Sequence, residues 1–184
     1  MIDEAKLNYQ LIDIPFEYRH CCWFCQEPSS LVLAFPHSSQ YDFCPHPALN
    51  IPACSECIRW ARSPRFVDIM SCRSWVKQQL IKKYRQHLAI GLNWTKQELE
   101  DSGLEGKIFE GFRRSGWAMY EIAKARVNFV GWPLSIDYQE LELNDFVLEF
   151  TFDGVTYPTI DDAIIHYSHQ FGLDRVFIRQ LLIV

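Results

Sequence analysis

Cys22-Trp-Phe-Cys25 and Cys54-Ser-Glu-Cys57, with 28 residues between them, are the two pairs around which this chain is organised. Each Cys-x-x-Cys pair turns two thiolates toward one point. Two such pairs supply the four soft ligands that Zn²⁺ takes in a closed tetrahedral site. The spacing therefore predicts a structural Zn²⁺ on Cys22, Cys25, Cys54 and Cys57, whose binding energy is folding energy. Cys21 sits beside Cys22 but lacks the two-residue gap to Cys25. Cys44, Cys72, His37 and His46 are spare donors. Beside a complete set of four, such residues ordinarily pack or hydrogen-bond.

The flanking chain can support such a site. With 184 residues, 48% hydrophobic, it holds enough apolar material for a packed core. Apolar runs fall well short of the roughly 20 residues of a membrane helix. The start, Met1-Ile-Asp-Glu-Ala-Lys, has no basic and apolar leader. A cytoplasmic protein without membrane contact is the expectation, with thiols kept as ligands and buried groups rather than disulfides. Net charge is −5, which disfavours a general nucleic-acid coat, but the charge is uneven. Arg59 to Arg85 carries eight bases against Asp68 alone, and 137–153 carries six acids and no base. The first segment can hold phosphates or form a solvated helix face; the second can meet a basic protein partner.

Period and punctuation place the remaining elements. Leu11 to Phe16 offers an edge strand at most, ahead of Pro15. Leu31 to Phe35 is an apolar strand ended by Pro36, and 38–47 is a loop. A helix starts at Cys54 or Ser55. Ser63-Pro64 restarts one, with apolar residues from Phe66 to Leu88 stepping by three and four toward Gly91. Thr95 and Glu98 form a capping box. A further helix runs over 106–130 and ends at Gly131-Trp-Pro133. Phe146, Leu148, Phe150 and Phe152 alternate as a strand, Asp153-Gly154 turns it, and Val155 to Tyr157 returns. Thr159 caps a helix broken at Gly172, and Asp174 opens another. Trp60, Trp75, Trp94, Trp117 and Trp132 are expected in cores. The expected class is α+β: a zinc domain over 1–62, a helical region over 63–134, and a hairpin with two helices over 135–184.

Asn50-Ile-Pro-Ala-Cys-Ser-Glu-Cys resembles the Asn-Leu-x-x-x-Cys-x-x-Cys core of the HNH endonucleases, and Cys-Trp-Phe-Cys-Gln-Glu resembles their first knuckle. The likeness covers 22–62. It implies a treble clef: knuckle, β-hairpin, and a helix carrying the second knuckle. It also implies His37 as general base and Asn50 as the residue orienting it, with Mg²⁺ or Mn²⁺ steadying the phosphate charge. The pattern departs at Pro36, at Ile58 and over Arg59 to Arg62, where the family keeps its catalytic-metal ligands. The stretch Phe150 to Leu182, with Phe152 to Ala163 and a Gly172-Leu173-Asp174 turn, is similar to helix-turn-helix modules attached to phage and homing nucleases. That likeness implies DNA contact by Arg175 and Arg179, four apart on one helix.

Three functions follow. The leading one is a non-catalytic, zinc-stabilised HNH-like protein that binds DNA or RNA, or a protein working on it, with Arg59, Arg62, Arg65 and Arg73 on the phosphates. The second is an active metal-dependent HNH nuclease using His37. The third is a zinc-stabilised interaction module that uses the acidic 137–153 stretch.

Overall fold

The computed structural model describes residues 8–63, 66, 68–102, 107–143 and 150–182. In chain order its strands are β1 (Gln10–Leu11), β2 (Val32–Phe35), β3 (Leu49–Pro52), β4 (Ser135–Ile136), β5 (Gln139–Glu140), β6 (Phe150–Phe152) and β7 (Val155–Tyr157). Its helices are α1 (Ser55–Ala61), α2 (Ile69–Asn93), α3 (Lys96–Glu100), α4 (Lys107–Asn128), α5 (Ile160–Phe171) and α6 (Arg175–Leu182). The mixed α+β class expected from the sequence is what these elements make. No described helix is long and apolar enough to cross a membrane. The chain forms two compact units, Met1–Lys77 with Phe129–Val147, and Gln78–Asn128 with Leu148–Val184. Each joins two separated stretches, whereas the sequence suggested three consecutive ones.

The first unit is built on a three-stranded sheet in the order β1-β3-β2. β2 pairs antiparallel with β3, Leu33 opposite Ile51 and Phe35 opposite Leu49. All four side chains are buried, and Val32 and Ala34 alternate outward with period 2. β1 adds as a parallel edge, Leu11 opposite Asn50. The first cysteine knuckle is stitched to the end of β3: Trp23 N–H donates to Pro52 O (2.8 Å) and Ala53 N–H to Leu31 O (3.0 Å). Beside it, the Trp23 indole N–H donates to Trp132 O at 2.8 Å and that of Trp132 to Asp13 O at 3.2 Å. Tyr18 stacks on Trp132, and the Arg73 guanidinium lies over Trp23. Gly131, at φ +76°, is wedged against Trp23 where a Cβ would have no room.

α2 begins five residues later than Pro64. Asp68 caps it, its Oδ1 accepting from Ser71 N–H at 2.8 Å, in place of the Ser63-Pro64 start. Pro64 itself lies outside the described residues. Val76 rather than Trp75 occupies the buried helix face, in line with Ile69 and Cys72.

In the second unit, Leu80, Tyr84 and Leu88 continue the buried face of α2, and Arg126 of α4 donates to Tyr84 Oη. The Thr95 capping box is present in full, Glu98 N–H to Thr95 Oγ1 and Thr95 N–H to Glu98 Oε2. β6 and β7 pair antiparallel, Phe152 opposite Val155. Asp153 (φ 51°) and Gly154 (φ 71°) turn between them in the left-handed region that suits an Asp-Gly pair. The expected strand residues Phe146 and Leu148 lie outside the described residues. Asn128, closing α4, holds this turn by donating to Gly154 O and accepting from Thr156 N–H. Thr159 caps α5 by accepting from Asp162 N–H, and Gly172 (φ 64°) ends it. Asp174 Oδ1 then accepts from Val176 N–H to open α6.

Candidate metal centre

Four cysteines from two distant segments meet in the first unit. Cys22 and Cys25 come from the loop before β2. Cys54 and Cys57 come from the first turn of α1, with Cys54 as its N-cap residue. The local sequence sets this geometry. In the first knuckle Gln26 N–H donates to Cys22 O (2.8 Å) and Cys22 N–H to Glu27 O (2.9 Å), which closes the turn. Closure puts Gln26 at φ 61°, a conformation that glycine takes without strain. In the second, helical spacing puts residues i and i+3 on one face, so both sulfurs look the same way.

All four ligand atoms lie within 4.8 Å of one another and all four residues are buried. Cys25 Sγ is 3.8 Å from Cys54 Sγ and 3.6 Å from Cys57 Sγ. A disulfide needs about 2.05 Å. A regular tetrahedron with metal–sulfur bonds of about 2.3 Å spaces its sulfurs at about 3.8 Å. The donor set therefore fits one four-coordinate ion, and the four cysteines can hold it with no position left for substrate. The electrostatics point the same way. Hydrogen bonding with Cys25, then with Cys54, and then burial push the Cys22 thiol up. Hydrogen bonding with Cys22 and Cys25 pushes Cys57 up, while hydrogen bonds from Cys22 and Cys25 drive Cys54 down. A cation is what lets all four ionise together.

The spare donors are otherwise employed. Ile69 N–H donates to His46 Nε2 at 3.0 Å, so His46 Nδ1, 2.9 Å from Pro47 O, carries the ring proton. Burial lowers the His46 pKa, which keeps this tautomer neutral. Burial pushes the Cys72 thiol up to about 12. Among the described residues, the four-cysteine set is the one group of three or more metal-type donors gathered together.

His37 is exposed, and its Nδ1 caps the following 3₁₀ turn (Ser38–Phe43) by accepting from Ser39 N–H, with Ser39 Oγ also 3.0 Å away. Asn50 donates from Nδ2 to Tyr9 O at 3.2 Å. The hydrogen bonds of this His and this Asn thus go to separate partners. Arg59 and Arg62 are exposed on and just after α1, on the helix that carries the second knuckle. Arg65 lies outside the described residues. Arg73 does not fit its expected place on the phosphate-facing surface: it is buried, 8% exposed, over the Trp23 ring. Lys77, one turn on, is also buried and donates to Phe129 O. Cation–π contact and a carbonyl partner let these two bases sit inside the fold, a role that charge counting along the chain could not separate from a solvated face. Arg175 is exposed, whereas Arg179 pairs with Asp161 of α5. Of the acidic stretch, Asp137, Glu140, Glu142 and Asp153 are exposed and 144–149 lie outside the described residues.

No family model, no curated protein and no solved structure matches this chain.

Proposed function

We propose that this chain is a zinc-stabilised treble clef of the HNH-like kind that no longer cuts and instead binds nucleic acid. The observation that carries the reading is the order of parts around the thiols: a knuckle, the antiparallel pair β2 and β3, and α1 with the second knuckle at its start. Four thiolates select a soft tetrahedral ion, and Zn²⁺ is the ion of closed Cys₄ sites. The ion's contribution is structural: it pins a loop and a helix that the backbone bonds of Trp23 and Ala53 already bring together. Arg59 and Arg62, exposed beside it, are bases available to phosphates on this unit. Loss of cutting is supported by Pro36 and Ile58 at the positions where nucleases of this kind keep metal ligands, and by His37 serving as a cap.

The test is binding of a short DNA duplex and an RNA of equal length across a salt series. Arg59→Ala with Arg62→Ala should weaken binding and lower the salt slope by about 2, close to 0.9 per phosphate contact on duplex DNA. Unchanged affinity overturns the binding surface. Plasmid nicking in Mg²⁺ or Mn²⁺ that His37→Ala abolishes overturns the non-cutting part.

A second reading has its own observation. Tyr138 is 96% exposed at the tip between β4 and β5, flanked by exposed Asp137 and Glu140. An exposed aromatic with acids close by in the chain is a fitting anchor for a basic protein partner.

A further inference from the structure

The second unit carries a groove that the zinc site does not explain. It encloses about 650 Å³ between the end of α2, the start of α3 and one face of α4. Its residues include Gly91, Trp94, Lys96, Trp117, Tyr120 and Lys124. Trp94 is 41% exposed, so its indole is not a core side chain. Trp117 and Tyr120 lie with ring centroids 4.8 Å apart, and Trp117 is held by its N–H to Glu121 Oε1 at 2.9 Å. That bond satisfies the indole N–H, engages the acid in the lining, and fixes the ring.

The floor is built deliberately. Gly91 falls inside α2, where glycine costs about 1 kcal/mol relative to alanine. A Cβ there would come within 2.1 Å of Tyr120 Cζ. The missing side chain lets the Tyr120 ring lie flat against the helix. Lys124 Nζ lies over the Tyr120 ring, 5.6 Å from its centroid, and Lys96 stands exposed at the other wall.

We propose that this groove binds single-stranded nucleic acid, a base stacking on Trp94 and the neighbouring phosphates meeting Lys96 and Lys124. Fixed aromatic faces accept any base, and flanking ammonium groups complement the backbone. A duplex keeps its bases stacked on one another and offers no free face. The inference extends the nucleic-acid reading to a different surface and rests on its own residues.

The experiment uses the full metal-loaded chain and a fluorescein-labelled oligo(dT), with a duplex of equal length alongside. Expected results are quenching of tryptophan emission, tighter binding of the single strand than of the duplex, and a loss of about tenfold in Trp94→Ala. Lys96→Ala with Lys124→Ala should weaken binding and lower the salt slope by about 1.4. Circular dichroism checks that each variant keeps its helices; Trp94, being exposed, can be removed without a cavity. Absence of single-strand binding, or Trp94→Ala binding it as wild type does, overturns the groove. Arg59→Ala with Arg62→Ala reports on the zinc-side surface separately. If duplex binding depends on those arginines while Trp94→Ala changes nothing, the groove falls and the proposed function stands. If the single strand depends on Trp94 while the arginine pair changes nothing, the converse holds.

Discussion

The indole N–H of Trp23, inside the first cysteine knuckle, donates to the carbonyl oxygen of Trp132 at 2.8 Å, across a sequence separation of 109. This bond ties the first loop of the cysteine cluster to the segment that follows α4. It is buried, and each partner belongs to a wider set: Arg73 over Trp23, and Tyr18 stacked on Trp132. The thiol cluster is thus held by an aromatic bracket.

Gly131→Ala should break that bracket. The residue sits at φ +76°, and a Cβ would lie 2.9 Å from Trp23 Nε1 and 3.0 Å from Trp23 O. A left-handed alanine costs about 1–2 kcal/mol by itself, and the carbonyl is backbone that cannot swing away. We expect a loss of about 3 kcal/mol in urea unfolding, of the order seen for strain combined with overpacking. Wild-type stability in this variant would show that the Trp23 loop is not pressed on Gly131.

Metal removal separates ligand from bystander. Purified protein should carry one zinc ion per chain by metal analysis. Cys54→Ser should lose that ion and the fold of the first unit with it, since ligand loss removes folding energy. Cys72→Ser should keep full metal content, because that buried thiol bonds only weakly to Ala61 O at 4.0 Å. Full zinc in the first variant, or loss in the second, contradicts the assigned ligand set.

The strained knuckle predicts a stabilising change. Gln26 holds φ 61° so that the turn can close on Cys22. Gln26→Gly should raise the unfolding free energy by up to about 1 kcal/mol, less the entropy that glycine adds to the unfolded chain. Gln26→Val should lower it, because a β-branched residue fits that region worst. Equal stability of the three proteins in the same urea titration would remove the strain argument.

His166 gives the second unit an acid limb. It is 4% exposed, its Nδ1 lies 2.6 Å from Tyr157 Oη, and burial first, then the Arg85 charge, lowers its pKa to about 4. With the folded value below the ordinary 6.5, the folded state binds fewer protons than the unfolded one between these pH values. Stability from this group is therefore whole above pH 6.5, falls as pH drops toward 4, and levels below that. The slope cannot exceed about 1.4 kcal/mol per pH unit for one proton. Comparing wild type with His166→Gln cancels the acid lability of the thiolate site. The difference in unfolding free energy should shift between pH 7 and pH 5, and a constant difference would refute the shift.

Much of the local structure was legible along the chain. The capping box at Thr95, the cap at Thr159, the Asp153-Gly154 turn and the stop at Gly172 each depend on a few neighbouring residues, and all are present. The candidate ligand set was legible for the same reason: a Cys-x-x-Cys spacing fixes a pair of sulfurs by local geometry alone. The start of α2 was misread because Ser63-Pro64 and Asp68 both offer cap chemistry. The hydrogen bond from Ile69 N–H to His46, 23 residues upstream, accompanies the later start.

The four thiols, the class of ion they suit, and most helix ends follow from residue type alone, since they are short-range consequences of it. Only the tertiary structure decided which charges and aromatics face water. Arg73 and Lys77 look like surface bases in one dimension and prove buried, because Trp23 and Phe129 arrive from elsewhere to receive them. Trp94 looks like core and proves 41% exposed, in the lining of a groove whose other wall holds Tyr120 against Gly91. Burial is set by what packs against a side chain, and that partner is named nowhere near it in the chain.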